Sequence, residues 1–160
     1  MNKAVALARG KYIARMDSDD ISLPERFKKQ IDFMEKNPEI GVLGCAFSIF
    51  QKRKEDVFMP TNDEDMKKLI QQGISPLAHP SAMIRKSVLN DIRYSETYKH
   101  CEDLALWAKL YDRTKFANLF KSMLLTTVFI IIMGLMLVKT STYGLVQVSS
   151  LEEYFAERPF

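Results

Sequence analysis

Three carboxylates, Asp17, Asp19 and Asp20, end the apolar-leaning run Tyr12-Ile13-Ala14-Arg15-Met16. Acids this close raise one another's pKa values unless a cation sits among them. A hard divalent ion, Mg²⁺ or Mn²⁺, suits such oxygen ligands and leaves positions open for phosphates. A second acidic pair, Glu102-Asp103, opens the apolar stretch Leu104-Ala105-Leu106-Trp107. One of these acids, kept ionised at a helix N-terminus, could take a proton from a hydroxyl. A lone histidine, His79, is fixed between Ala78 and Pro80 in a rigid loop that could aim it into a cleft. Each feature also has a plain structural reading: a polar turn, acids favoured by the helix dipole, and a structural histidine.

Other acidic motifs fit less well. A calcium loop starting at Asp17 needs Gly in its sixth place and Glu in its twelfth, where this chain has Ser22 and Lys28. An aspartyl-phosphate enzyme would want Gly-Thr in place of Asp20-Ile21.

The elements that must carry these residues follow from periodicity and punctuation. Asn2 can cap a short helix through Arg9 that Gly10 stops, and a strand over Lys11 to Met16 follows. In an open α/β sheet, the acids after that strand would face a ligand crevice. Ser22-Leu23-Pro24-Glu25 has the form of a capping box. The helix it opens should bury Phe27, Ile31 and Met34, with Arg26, Lys28, Lys29 and Glu35 mostly on its wet side. Asn37-Pro38 ends it.

Gly41 to Phe50 reads as a buried strand beside the first, and Gln51 to Asp56 as its exit loop or hairpin. Thr61-Asn62-Asp63-Glu64 is a second capping box, which accounts for Asp63, Glu64 and Asp65 without a site. Met66, Leu69 and Ile70 give that helix its inner stripe and Gly73 its stop. A strand over Ser81 to Ile84 and a helix starting at Glu102, with Leu106, Trp107, Leu110 and Tyr111 inside, complete the pattern.

The chain has 160 residues, enough for one domain with a sizeable core, and its 47% hydrophobic and 27% charged content is globular. A net charge of +3 from scattered basic residues excludes nucleic acid as the expected partner. Cys45 and Cys101 match no zinc spacing and read as reduced thiols.

Lys11 to Phe27, His79-Pro80-Ser81, and Glu102-Asp103 ahead of a helix with Trp107 together resemble glycosyltransferase family 2, the inverting nucleotide-sugar transferases of GT-A fold. The resemblance covers about residues 1–115. It implies an α/β fold with an open mixed sheet flanked by helices. It implies that Asp17, Asp19 and Asp20 hold the nucleotide diphosphate, with Asp17 and Asp19 on Mg²⁺ or Mn²⁺. It also implies that Asp103, with Glu102 beside it, is the catalytic base and that His79 lies on the acceptor side. The partners implied are a nucleotide-sugar donor and a saccharide or lipid-linked acceptor of the cell envelope. The family's opening βα units have no counterpart before Met1, so the domain is expected to be incomplete. A degenerate, non-catalytic association module is the alternative expectation.

The 17 residues between Lys121 and Lys139 carry no charge. As a helix they would reach about 25 Å, slightly under the roughly 30 Å of a hydrocarbon core; the other reading is a buried helix or strand of the domain, which would leave the chain cytoplasmic. The expected division is therefore a partial catalytic domain over 1–118, a candidate transmembrane helix over 119–141 and a tail over 142–160. Arg113, Lys115 and Lys121 precede the stretch, and Glu152, Glu153 and Glu157 follow it, which would put the domain on the cytoplasmic face of a bacterial membrane.

Overall fold

The computed structural model describes residues 1–50, 54–98 and 100–126. It places the elements α1 (Asn2–Leu7), β1 (Tyr12–Ala14), β2 (Ile21–Ser22), α2 (Arg26–Lys36), β3 (Ile40–Phe50), β4 (Lys54–Val57), α3 (Asp63–Gln71), β5 (Met83–Arg85), α4 (Glu102–Leu110) and β6 (Lys115–Thr126). Six strands form one mixed sheet in the order β1-β5-β3-β6-β2, with β4 hairpinned onto β3. β3 runs parallel to β6 and antiparallel to β5. The open, helix-flanked α/β sheet is the one expected.

Alternation along the strands divides the core into two layers. Leu43 and Met83 pair across β3 and β5 and face Met34 of α2. Val42 and Ile84, one residue along, join the larger cluster of Met66, Ile70, Leu106, Trp107 and Phe116 beneath α3 and α4. Strand β5 lies between β1 and β3, so β3 is not the neighbour of β1. Met83 and Ile84 are buried in opposite layers, and only a place inside the sheet covers both.

Local expectations fared unequally. For α3, Asn62 caps the helix by accepting from the Asp65 amide at 2.9 Å, and Gly73 turns the chain out at φ 74°. For α1, Met1 is the cap, while the Asn2 amide exchanges two hydrogen bonds with the Tyr94 backbone, at 3.0 and 2.9 Å. The box expected at Ser22 does not form, because Ile21–Ser22 pairs with Leu125 and Leu124 of β6. The buried stripe of α2 is Arg26, Gln30 and Met34, and Phe27 and Ile31 are exposed. Arg26 is drawn in because Nη2 donates to the Arg15 carbonyl at 2.8 Å and because the buried Asp20 carboxylate attracts it.

The division at 118/119 falls inside β6. Residues 119–126 lie in a strand parallel to β3, not in a transmembrane helix. Among the described residues no helix is long and apolar enough to cross a membrane. The remainder of the candidate span, 127–141, and the tail 142–160 lie outside the described residues.

Candidate active site

The acid loop leaves the end of β1, the first strand of the sheet, and its three carboxylates part company. Asp17 is half-buried and ion-paired with Arg15. Asp19 is exposed, and Asp20 is 6% exposed with its charge acting on Arg26. Arg15 and Asp17 both lie just past the end of β1, close enough along the chain for the pair to form.

Pro80 sits in a 3₁₀ turn over His79–Ser81, which the Ser81 hydroxyl closes by donating to the Ala78 carbonyl at 2.7 Å. The turn holds His79 Nε2 at 3.1 Å from the Tyr94 hydroxyl and the His79 ring edge-on to Trp107, with centroids 5.9 Å apart. Burial pushes the His79 pKa down. The Asp103 charge opposes that, Arg15 reinforces it, and Asp17 and Glu102 oppose it more weakly. The imidazole is therefore neutral at pH 7. Burial likewise raises the Tyr94 hydroxyl to about 12, so it keeps its proton.

Residue His100, at φ 69°, turns the chain sharply ahead of α4, which then opens with Glu102 and Asp103. Ser75 meets Asp103 from the far side of the loop. Its hydroxyl lies 3.1 Å from Asp103 Oδ2 and 3.0 Å from the Leu77 carbonyl, and it accepts from Trp107 Nε1 at 3.2 Å. Behind it, Asn118 of β6 donates to the Pro76 and Pro60 carbonyls at 3.0 and 2.7 Å. That seat needs Gly44, since a Cβ there would meet Asn118 Oδ1 and come within 2.9 Å of Leu77 Cβ.

A cleft of about 480 Å³ opens against His79 and the start of α4, lined by Asn2, Lys3, Arg15, His79, Tyr94 and Glu102 among others, with Asp17, Asp19 and Asp103 outside its wall. The fold thus brings the Arg15–Asp17 end of the acid loop, His79 and the start of α4 into one electrostatic neighbourhood. Glu102 reaches the cleft wall, Asp103 is held by Ser75, and Asp20 belongs to the interior. Among the described residues no group of three or more His, Cys, Asp or Glu could by itself hold a metal ion. Arg15, Ser75 and Tyr94 did not figure in the expected site. Only Arg15 had a local signal, its two-residue spacing from Asp17.

The family model for glycosyl transferase family 2 matches residues 1–93. The chain belongs to glycosyltransferase family 2. A glycosyltransferase of Methanocaldococcus jannaschii is 35% identical over 112 residues, covering 68% of this chain and 38% of that protein. The amylovoran biosynthesis glycosyltransferase AmsE of Erwinia amylovora is 30% identical over 112 residues, covering 69% of this chain and 42% of AmsE. In structure the chain resembles S. aureus TarS 1-349, solved in complex with UDP-GlcNAc, with a TM-score of 0.62 and 24% identity. That match covers 79% of this chain and 37% of the TarS chain, and it speaks for the GT-A fold. This family 2 chain spans about two-fifths of the length of the curated relatives it matches.

Proposed function

We propose that this chain forms part of a nucleotide-sugar glycosyltransferase that inverts the transferred sugar and works in envelope polysaccharide or glycolipid synthesis. The observation that carries the reading is the meeting of Arg15–Asp17 with Glu102–Asp103 around a neutral His79 beside the cleft. The relatives' names support the setting: AmsE is named for amylovoran biosynthesis and WbnJ of Escherichia coli for O-antigen biosynthesis. UDP-GlcNAc in the TarS complex supports a nucleoside diphosphate sugar as donor.

Asp17, half-buried and paired with Arg15, and Asp19, exposed, carry hard oxygen donors at the strand end. They suit Mg²⁺ or Mn²⁺, which take one or two carboxylates and draw their other ligands from phosphates and water. A cation bound there would offset the charge that grows on the departing diphosphate. Asp20 serves instead as the buried counter-charge of Arg26.

For the transfer itself, Asp103 accepts the acceptor hydroxyl's proton as that oxygen bonds the anomeric carbon from the face opposite the diphosphate. The bond to the diphosphate oxygen breaks, its electron pair leaves with the nucleotide, and the carbon inverts. Ser75 engages Asp103 Oδ2, which leaves Oδ1 for the proton. His79 and Tyr94, both neutral at pH 7, supply hydrogen bonds to the acceptor without competing for its proton. Glu102 lines the cleft itself, which favours a second assignment with Glu102 as the base.

The donor site is tested by calorimetric titration of UDP into the chain with and without Mn²⁺. Asp19→Ala should abolish the Mn²⁺-dependent binding. Undiminished binding would sink the proposal. Transfer assays on Asp103→Asn and Glu102→Gln assign the base, since only loss of the true base stops transfer while sparing UDP binding.

A further inference from the structure

Arg26 and Gln30 lie one turn apart on α2, and both are completely buried. Arg26 Nη2 donates to the Arg15 carbonyl at 2.8 Å and Nε donates to Gln30 Oε1 at 3.1 Å. Gln30 Nε2 in turn donates to the Ser81 carbonyl at 2.8 Å and the Leu43 carbonyl at 3.3 Å. Ser81 closes the turn that carries His79. A hydrogen-bonded relay therefore runs under the sheet from the first residue of the acid loop to the histidine turn, with the Asp20 charge acting on its cationic end. Taking a guanidinium out of water is costly unless partners offset it. The next inward residue of the same stripe, Met34, packs without any polar group, so packing alone does not require an arginine and a glutamine here. What the polar pair supplies is direction: the planar fork fixes two partners at once and the amide three.

We propose that Arg26 and Gln30 are positioning residues that lock the Asp17–Asp20 loop to the His79 turn, so that the two halves of the site hold one geometry. This rests on the reading that Asp17 and Asp19 grip a cation with the donor diphosphate. Neither residue touches substrate. Each acts through the backbone of a near neighbour of a residue that does, Arg26 through Arg15 beside Asp17 and Gln30 through Ser81 beside His79.

The test is a double-mutant cycle on the full 160-residue chain with Arg26→Lys, Gln30→Met and the pair. Mn²⁺ binding in the presence of UDP is followed by electron paramagnetic resonance, and the His79 ring is followed by NMR. The chain has two histidines, and exposed His100 serves as the internal reference. Each single variant should weaken Mn²⁺ binding about tenfold, the scale on which groups behind a metal ligand act. The double variant should lose no more than the worse single, because the two residues form one relay. The His79 signal should move in Arg26→Lys even though Arg26 contacts the acid loop and not the turn. Additive losses would overturn the proposal, as would lowered melting temperatures with Mn²⁺ affinity and the His79 signal unchanged. If the unmodified chain takes up no Mn²⁺ with UDP, the cation reading fails. The His79 signal in Arg26→Lys then decides the relay alone: unmoved overturns it, and displaced upholds it.

Discussion

The Ser75 hydroxyl lies 3.1 Å from Asp103 Oδ2, and the two residues are joined across 28 positions of sequence. The same oxygen accepts from the indole N–H of fully buried Trp107 at 3.2 Å, so the serine is itself anchored to the core. A carboxylate held in this way keeps one orientation, and a base that must meet an incoming hydroxyl gains from that.

Removing the serine's hydroxyl should therefore act on turnover more than on donor binding. Ser75→Ala should lower kcat for sugar transfer about tenfold, in line with a lost hydrogen bond to a charged group. UDP affinity should stay the same, and Ser75→Thr should restore most of the rate. Asp103→Asn should cost about 10²- to 10⁴-fold, the usual share of a general base. Equal losses of kcat and UDP affinity in Ser75→Ala would show that the serine supports the fold and not the base.

The depressed pKa of His79 fixes the sign of a pH effect on stability. In the unfolded chain His79 titrates near its ordinary 6.5, and burial holds the folded value lower. Between those two values the unfolded chain binds more protons, so stability rises with pH. The contribution is complete above pH 6.5 and is lost as pH falls through the folded pKa. Thermal melts should show the loss as pH falls from 6.5 to the lower folded value, and His79→Gln should flatten it. A melting profile with the same acid slope in His79→Gln would place the titrating group elsewhere.

Gly44 and Asn118 set the seat of the loop that carries Ser75. Gly44→Ala drives a methyl group into Asn118 Oδ1 and Leu77 and should destabilise the chain by about 1–3 kcal/mol. Asn118→Leu strands the Pro60 and Pro76 carbonyls and should cost a similar amount, about 1–3 kcal/mol. Urea denaturation measures both. In the pair Gly44→Ala/Asn118→Ala the cost should be less than the sum of its two singles, because alanine at 118 removes the oxygen that the Gly44→Ala methyl collides with.

Features whose cause lies within a few residues were legible in the sequence. The Gly73 stop and the burial of Leu106, Trp107 and Leu110 on α4 are of this kind, whereas α3 is capped by Asn62, one residue on from the Thr61 that the expected box would use. The face of α2 was not, because Arg26 is pulled inward by Arg15 and Asp20, which lie outside the helix. The two-residue strand β2 exists only through its pairing with β6 and has no periodicity of its own. The uncharged run that follows Lys121 would look the same as a membrane helix or as a buried strand, and composition cannot tell these apart. Its first part is a strand because β3 offers it a parallel partner.

The candidates Asp17, Asp19, Asp20, Glu102, Asp103 and His79 were picked out by their neighbours in sequence. Ser75 and Tyr94 could not be, since their bonds to Asp103 and His79 span 28 and 15 positions.

The chain contains one tryptophan, and that ring stands edge-on to His79 while its N–H points at the serine that holds Asp103. A protonated imidazole quenches a neighbouring indole, and a broken N–H bond changes the colour of its emission. The molecule thus carries a single built-in lamp at its proposed reaction centre, and steady-state fluorescence can watch acid, nucleotide and acceptor arrive there without any added label.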